Sequence, residues 1–275
     1  MKNSFLLFDA LYLFFTIIVY SVAGTLACYF GSLIWGESIP SKVIAVVIGY
    51  FVFLHLFIIT VALLRKLIQK PLKKGTFPIG LNEDYIAWGF NSIFHGIVIA
   101  SPFASQIFFV FYLNWMYYNL MGMKLPINSL IGTNATIRQP ELIEIGPSTV
   151  IGIGSTIVGH YSPDRKRHCQ GGIKIGENSL VGAYTMISPS TSIGNNTIIG
   201  HNGVINPLVK IGNNVSVGPE TTLRSGAKLP DNVTIKANSI IDRSTRIKEG
   251  ETWGGNPAIL ISTPHTSEAP QHEES

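Results

Sequence analysis

From Ile175 to Ile247 an aliphatic side chain occupies every sixth position without a gap: Ile175, Val181, Ile187, Ile193, Ile199, Ile205, Ile211, Val217, Leu223, Leu229, Ile235, Ile241 and Ile247. This spacing fits neither the period of a helix face nor the alternation of a strand face. Three such steps close one triangular coil, whose inward positions stack on those of the next. The pattern therefore predicts an all-β left-handed parallel β-helix. Glycine or a small polar residue follows many of the aliphatics, as in IGENSLVGAYTMISPSTSIGNNTIIG. That placement suits turns whose backbone adopts unusual φ and ψ, which Gly and Asn tolerate.

The same frame runs upstream through Ile145, Ile151 and Ile157 and is kept between Ile157 and Ile175. The intervening VGHYSPDRKRHCQGG is thus expected to be a loop extruded from a continuous solenoid. An earlier frame, Leu125, Ile131, Ile137 and Ile143, is displaced, which places a bend at the segment RQPEL where the first coil begins. This reading gives a solenoid over residues 125–258. With coils ~4.8 Å apart, about seven of them make a prism roughly 35 Å long.

Residues 1–124 belong to a different solvent. Charged residues are 13% of the chain, against about a quarter in ordinary soluble domains, and most of the deficit lies here. The runs from Phe5 to Tyr29 and from Val43 to Leu64 are each long enough to exceed the ~20 residues that cross a bilayer. Their length, and a second span directly after the first, argue for a retained membrane α-helical N-terminal domain rather than a cleaved signal peptide. Arg65, Lys66, Lys70, Lys73 and Lys74 follow the second span, whereas the connection from Gly31 to Lys42 holds only Glu37 and Lys42. The positive-inside bias puts both ends of this pair in the cytoplasm. Tyr85 to Met121 is apolar and aromatic with Pro102 near its middle. It reads as a re-entrant hairpin or as interfacial helices, with Tyr112, Trp115, Tyr117 and Tyr118 at the headgroup level. An even number of crossings leaves the solenoid facing the cytoplasm from the cytoplasmic (inner) membrane. Residues 259–275 are expected to be a disordered tail.

The net charge of +4 comes largely from the juxtamembrane cluster. That cluster suits the anionic headgroups of a lipid bilayer, and no nucleic-acid-reading motif accompanies it. Cys28 and Cys169 are too few and too far apart for a disulfide framework, and both are expected to be reduced.

The loop concentrates His160, Asp164, Arg165, Lys166, Arg167 and His168. Long excursions from compact repeats are usually functional. IGPSTVIGIGSTIVGH, the basic loop, IKIGENSLVGAYTMISPSTSIGNNTIIG and the closing WGGNPA resemble the hexapeptide-repeat acyltransferases across the whole solenoid. YYNLMGMKLPINSLIG, HYSPDR and ETWGGNPA are similar, more narrowly, to the membrane-embedded carboxy-terminal modules of poly-lysine-synthetase-type peptide synthetases. The chain has no adenylation domain and no carrier-protein serine motif, so it reads as a stand-alone version of that module.

The resemblance implies acyl transfer from a thioester donor, acyl-CoA or a phosphopantetheine-linked acyl group, to a hydroxyl or amine. His160, after glycine at the root of the loop, matches the family's general base, and histidine titrates nearest neutrality. Asp164 is expected to orient it, and Arg165, Lys166 and Arg167 to bind the donor's phosphates. His168 and His201 are candidate substrate contacts. The family further implies a homotrimer with sites in the clefts between prisms, with a dimer as the alternative. Membrane spans gain little for soluble substrates, so the acceptor is expected to be lipid-linked or membrane-associated. Two other readings fit parts of the sequence. A non-catalytic membrane-tethered scaffold explains the repeats and not the loop. A γ-class carbonic anhydrase needs histidines in a GHxxxxH pattern, which His201 opens and Asn206 breaks, so no metal is expected. His55 and His95 lie in apolar stretches, where a buried imidazole is either functional or bonded to a neighbouring helix.

Overall fold

A computed structural model describes residues 2–264 of the protein. Two long helices come first, α1 (Lys2–Leu33) and α2 (Ile39–Ile68), packed side by side. Both are long and apolar enough to cross a membrane, with mean hydropathy 2.1 over Leu6–Leu33 and 2.6 over Ile39–Ile68. Their outer faces expose large apolar side chains such as Leu13, Ile17, Val46 and Phe51. Helix α2 starts where Ser38 Oγ accepts from Ser41 N at 3.3 Å, with Pro40 in the first turn. It ends with Arg65 and Lys66 in the last turn, where the helix dipole favours cations.

The chain then turns back through α3 (Glu83–Ile99), α4 (Ala104–Phe109) and α5 (Phe111–Leu120). Asn82 caps α3 by accepting from Tyr85 N at 3.0 Å, and Glu83 and Asp84 occupy its positive first turn. At the far end, around Ser101 and Pro102, Phe103 packs on Phe53 with ring centroids 5.0 Å apart, near the middle of α2. The hairpin therefore reaches only partway along α1 and α2, and both of its ends meet the solenoid. The aromatic residues expected at the headgroup level divide. Tyr112 is exposed, and Trp115 Nε1 donates to the carbonyl of Leu125 at 2.9 Å. Tyr117 and Tyr118 are instead fully buried. They sit on the face that α5 turns inward, so their rings pack on Phe108 rather than on lipid.

The solenoid is three parallel sheets of eight, six and five strands, the largest closed by one antiparallel strand. Ile137, Ile157, Ile187, Ile205, Leu223 and Ile241 stack along one sheet in strict register, all essentially without solvent contact. Lys124 opens the first coil by bridging to Glu144. At RQPEL the chain bends as expected. Gln139 takes the left-handed conformation (φ 55°) and Pro140–Leu142 form one turn of 3-10 helix. The strand Ile143–Ile145 then pairs with Ile173–Ile175, which pairs in turn with Ser192–Ile193. The loop thus leaves the stacking of the coils intact.

The glycines after the aliphatics serve a purpose other than the one the sequence suggests. The left-handed corners belong to later residues, among them Asn178, Tyr184, Ser190, Asn196, Asn202 and Leu208. Gly182 has no such φ. A Cβ there would meet Gly200 C at 2.5 Å, so it is small because the next coil's backbone passes directly over it. The C-terminal boundary also shifts. Ile259–Ser262, expected in the tail, form a strand antiparallel to Thr252–Gly254, because three consecutive β-favouring apolar residues meet an open sheet edge. The tail residues 265–275 lie outside the described residues.

Candidate functional site

The basic loop is not an isolated arm. His160–Tyr161 pairs antiparallel with Cys169–Gln170, and Gly75–Pro78, from the segment after α2, pairs with Arg167–Gln170 on the other side. This small sheet fastens the loop to the helical domain. Ile79 N also donates to the carbonyl of Lys166 at 2.8 Å. The first turns of α3 then lay Tyr85 and Trp88 on the sheet, against its histidines.

His160 is half-buried, and its Nδ1 lies 2.7 Å from Oε1 of Gln139. An amide oxygen only accepts, so Nδ1 carries the hydrogen and Nε2 keeps a free lone pair. Gln139 is itself buried, and the left-handed backbone of the RQPEL bend aims it. The ring of His160 stacks on His168, with centroids 5.2 Å apart and planes 26° apart. Trp88 covers both, at 5.3 Å from His160 and 4.6 Å from His168. Burial first, then His168 and the charge of Arg138, depress the pKa of His160 from 6.5 to about 4. Burial lowers that of His168 as well. At neutral pH the site therefore presents an uncharged imidazole with a lone pair on Nε2.

The surroundings are polar and incompletely paired. Trp88 Nε1, His168 Nε2 and both amide atoms of Gln170 are buried without a hydrogen-bond partner. Farther along α3, Asn91 Oδ1 and His95 Nε2 share that condition, while His95 Nδ1 is bonded to the hydroxyl of Tyr117. Unsatisfied buried atoms are rare in native proteins and mark places where water or a ligand completes the set. Beside them, Glu141 locks helices to solenoid. It pairs with Arg65 and accepts from Leu72 N at 2.7 Å and Gln69 Nε2 at 3.1 Å.

Of the residues singled out in the sequence, the structure brings His160 and His168 together. Asp164 sits apart at the loop tip, where it accepts from Lys166 N and Arg167 N, each at 2.8 Å, and pairs with Arg167 Nε at 2.7 Å. It shapes the tip, and the group that orients His160 is Gln139. Arg165, Lys166 and Arg167 are all exposed there. His201 is exposed at a corner between Ile198–Ile199 and Val204–Ile205, whereas His160 follows Thr156–Val158 at the next corner round the prism. His55 Nδ1 bonds to Phe51 O of its own helix at 2.7 Å, not to a neighbouring one. Among the described residues no group of three or more His, Cys, Asp or Glu is placed to hold a metal ion. Trp88, Gln139 and Gln170 carry no motif that marks them in the sequence. Only Gln139 left a trace there, as the break of frame at RQPEL.

Residues 172–207 match the family model described as bacterial transferase hexapeptide (six repeats), and residues 208–243 match the hexapeptide repeat of succinyl-transferase. No curated protein matches the chain in sequence. Among solved structures, the acetyltransferase domain of PglB from Neisseria gonorrhoeae FA1090 aligns at 20% identity and TM-score 0.41, over 55% of this chain and 64% of that one. AntD, an N-acyltransferase from Bacillus cereus solved with dTDP and 3-hydroxybutyryl-CoA, aligns at 17% identity and TM-score 0.41, over 53% and 85%. PerB from Caulobacter crescentus, solved with CoA and GDP-perosamine, aligns at 12% identity and TM-score 0.40, over 49% and 58%. The chain thus spans less than two thirds of the Neisseria domain, and the hexapeptide-repeat matches run without a gap over residues 172–243 of the solenoid.

Proposed function

We propose that the protein is a membrane-anchored acyltransferase that moves an acyl group from a thioester donor, acyl-CoA or phosphopantetheine-linked, to a hydroxyl or amine of a membrane-associated acceptor. The observation that carries this reading is a free Nε2 on a neutral, partly desolvated His160, within a solenoid of transferase repeats and against helices suited to a bilayer. His160 Nε2 takes the acceptor's proton as its oxygen or nitrogen attacks the thioester carbonyl. The C–S bond then breaks, and the imidazolium returns the proton to the leaving thiolate. Gln139 holds Nδ1–H throughout. A neutral amide partner, unlike a carboxylate, leaves the resting ring uncharged and ready to accept. Arg165, Lys166 and Arg167 engage the donor's phosphates from the loop tip, with Asp164 positioning Arg167. His168 packs against the reacting groups, and His201 would touch substrate only from a neighbouring prism.

Assays with acyl-CoA and phosphopantetheinyl thioesters of several chain lengths, in the presence of membrane lipid, are expected to release thiol. No release above background from any donor would overturn the reading. Because His160 titrates at about 4 rather than 6.5, the rate should stay level from mildly acidic to mildly basic pH and fall only toward about pH 4. An acid limb near 6.5 would assign the base to a solvated histidine instead.

The same reading places the solenoid in the cytoplasm, on the inner membrane. In support, the end of α2 nearest the solenoid carries Arg65 and Lys66, with Lys70, Lys73 and Lys74 directly after it, and Arg65 is paired with solenoid Glu141. With Cys28 and Cys169 replaced, a cysteine at Asn213 should resist an impermeant reagent in intact cells and react once they are opened. The expected assembly is a homotrimer, with the site completed across the cleft. A particle mass in nanodiscs of one chain would exclude it.

A further inference from the structure

The halves of α1 and α2 that lie away from the solenoid border a groove of about 550 Å³, lined by apolar surface and by no charged residue. That volume is in the range of sites that bury small ligands. The walls run from Gly24 to Ser32 in α1 and from Ala45 to Phe53 in α2. Phe103, at the tip of the helical hairpin, closes one end by packing on Phe53 and Tyr50, with ring centroids 5.0 Å and 6.2 Å apart. Trp35, in the connection between the two helices and 55% exposed, stands at the other end. Ser32 Oγ donates to Tyr29 O at 2.7 Å, so its hydrogen is already used within the helix.

Three glycines line the groove, and they differ in what surrounds them. A Cβ at Gly31 or Gly49 would touch the opposite helix, at the carbonyls of Ala45 (3.6 Å) and Ala27 (3.7 Å), so these two serve the close approach of α1 to α2. A Cβ at Gly24 would meet nothing within 4 Å. Glycine is disfavoured inside a helix, and no packing within the chain accounts for this one. What its missing side chain provides is room in the groove.

At 1.5 Å per residue each wall is about 12 Å long, close to half of the ~30 Å hydrocarbon core of a bilayer. A spanning helix from a second copy would need the full core, and the hairpin tip at Phe103 lies across its path. The area that the groove exposes is also far below the ~800 Å² a side of a stable protein interface. A lipid tail, by contrast, ends at the middle of the bilayer. We propose that this groove holds one hydrocarbon tail of a phospholipid from the leaflet away from the solenoid, its end against Phe103 and its headgroup beyond Trp35. The proposal rests on the membrane anchoring put forward above and is independent of acyl transfer.

The full-length protein, stripped of native lipid in a short-tailed octyl detergent, would be titrated with palmitoyl-oleoyl phosphatidylglycerol and separately with the matching phosphatidylcholine, and read by native mass spectrometry. One lipid should bind ahead of the later, nonspecific additions, whichever headgroup it carries. Gly24→Leu, whose side chain enters the open groove, should weaken that first addition roughly tenfold to a hundredfold, as overpacking does. Ile17→Phe, on an exposed apolar surface outside the groove, should leave it unchanged. The proposal is overturned if there is no distinct first addition, or if that addition demands one headgroup. It is equally overturned if the addition is undiminished in whichever of Gly24→Leu and Gly24→Phe keeps the unsubstituted protein's melting midpoint, or is lost equally in Ile17→Phe. Loss of a homo-oligomer in Gly24→Leu, with lipid binding intact, assigns the groove to a second copy and also overturns it. Recovery of the chain in solution without detergent would sink the membrane anchoring and the lipid with it, whereas a membrane-bound protein that lacks the first addition sinks the lipid alone.

Discussion

His160→Ala is expected to lower turnover by about 10² to 10⁴, the usual contribution of a positioned base, equivalent to roughly 3 to 5 kcal/mol of barrier. The ring is wedged between His168 and Trp88, so alanine also removes packing, and a melting curve must accompany the rate. Gln139→Glu separates chemistry from packing. It keeps the shape of the side chain and places a carboxylate against Nδ1, which raises the pKa of His160. The acid limb of the pH–rate profile should then move upward from about 4 while the fold holds. Full turnover in a folded His160→Ala protein would refute the assignment. His168 would be the next candidate, since it shares the pocket and His201 lies at another corner of the prism.

Glu141→Ala should cost about 3 to 5 kcal/mol of stability, the range for leaving one member of a buried ion pair uncompensated. The Arg65 and Glu141 side chains are only 9% and 14% exposed. The same carboxylate also receives Leu72 N and Gln69 Nε2, so its loss strands three groups at once. The measurement is thermal unfolding of the full-length protein in detergent, with limited proteolysis of residues 70–82 as a local readout. That linker should become cleavable before the solenoid melts. An unchanged midpoint and an unchanged digestion pattern would remove Glu141 from any role in docking helices on coils.

The solenoid was legible because its periodicity is local geometry written directly into side-chain type: each stacked position demands an aliphatic, whatever lies elsewhere. The two long apolar helices were legible for a similar reason, since a run of that length has few other uses. The site was legible only as a loop with histidines. Asp164 lies four residues from His160 in sequence, yet a turn satisfies its carboxylate within three residues, at Lys166 N and Arg167, and so keeps it from the imidazole. The true neighbour, Gln139, comes from the preceding coil, and Trp88 comes from a helix in a different part of the fold. No periodicity relates those positions. Tyr117 and Tyr118 show the same limit: aromatic composition suggests an interface, and only packing shows which way each ring faces.

A parallel solenoid has no intrinsic reason to stop, because each finished coil presents unpaired strand edges on which another could form. Here Ile259–Ser262 reverses direction and lays an antiparallel strand along Thr252–Gly254. On that face the outermost strand now runs opposite to all those beneath it, so an incoming coil in the common direction finds a mismatched hydrogen-bond pattern. At the other end, α5 covers the opening of the prism, with Trp115 bonded to Leu125. The stack is thereby a counted object rather than the seed of a fibre, kept from end-to-end polymerisation by a helix at its base and a single reversed strand at its summit.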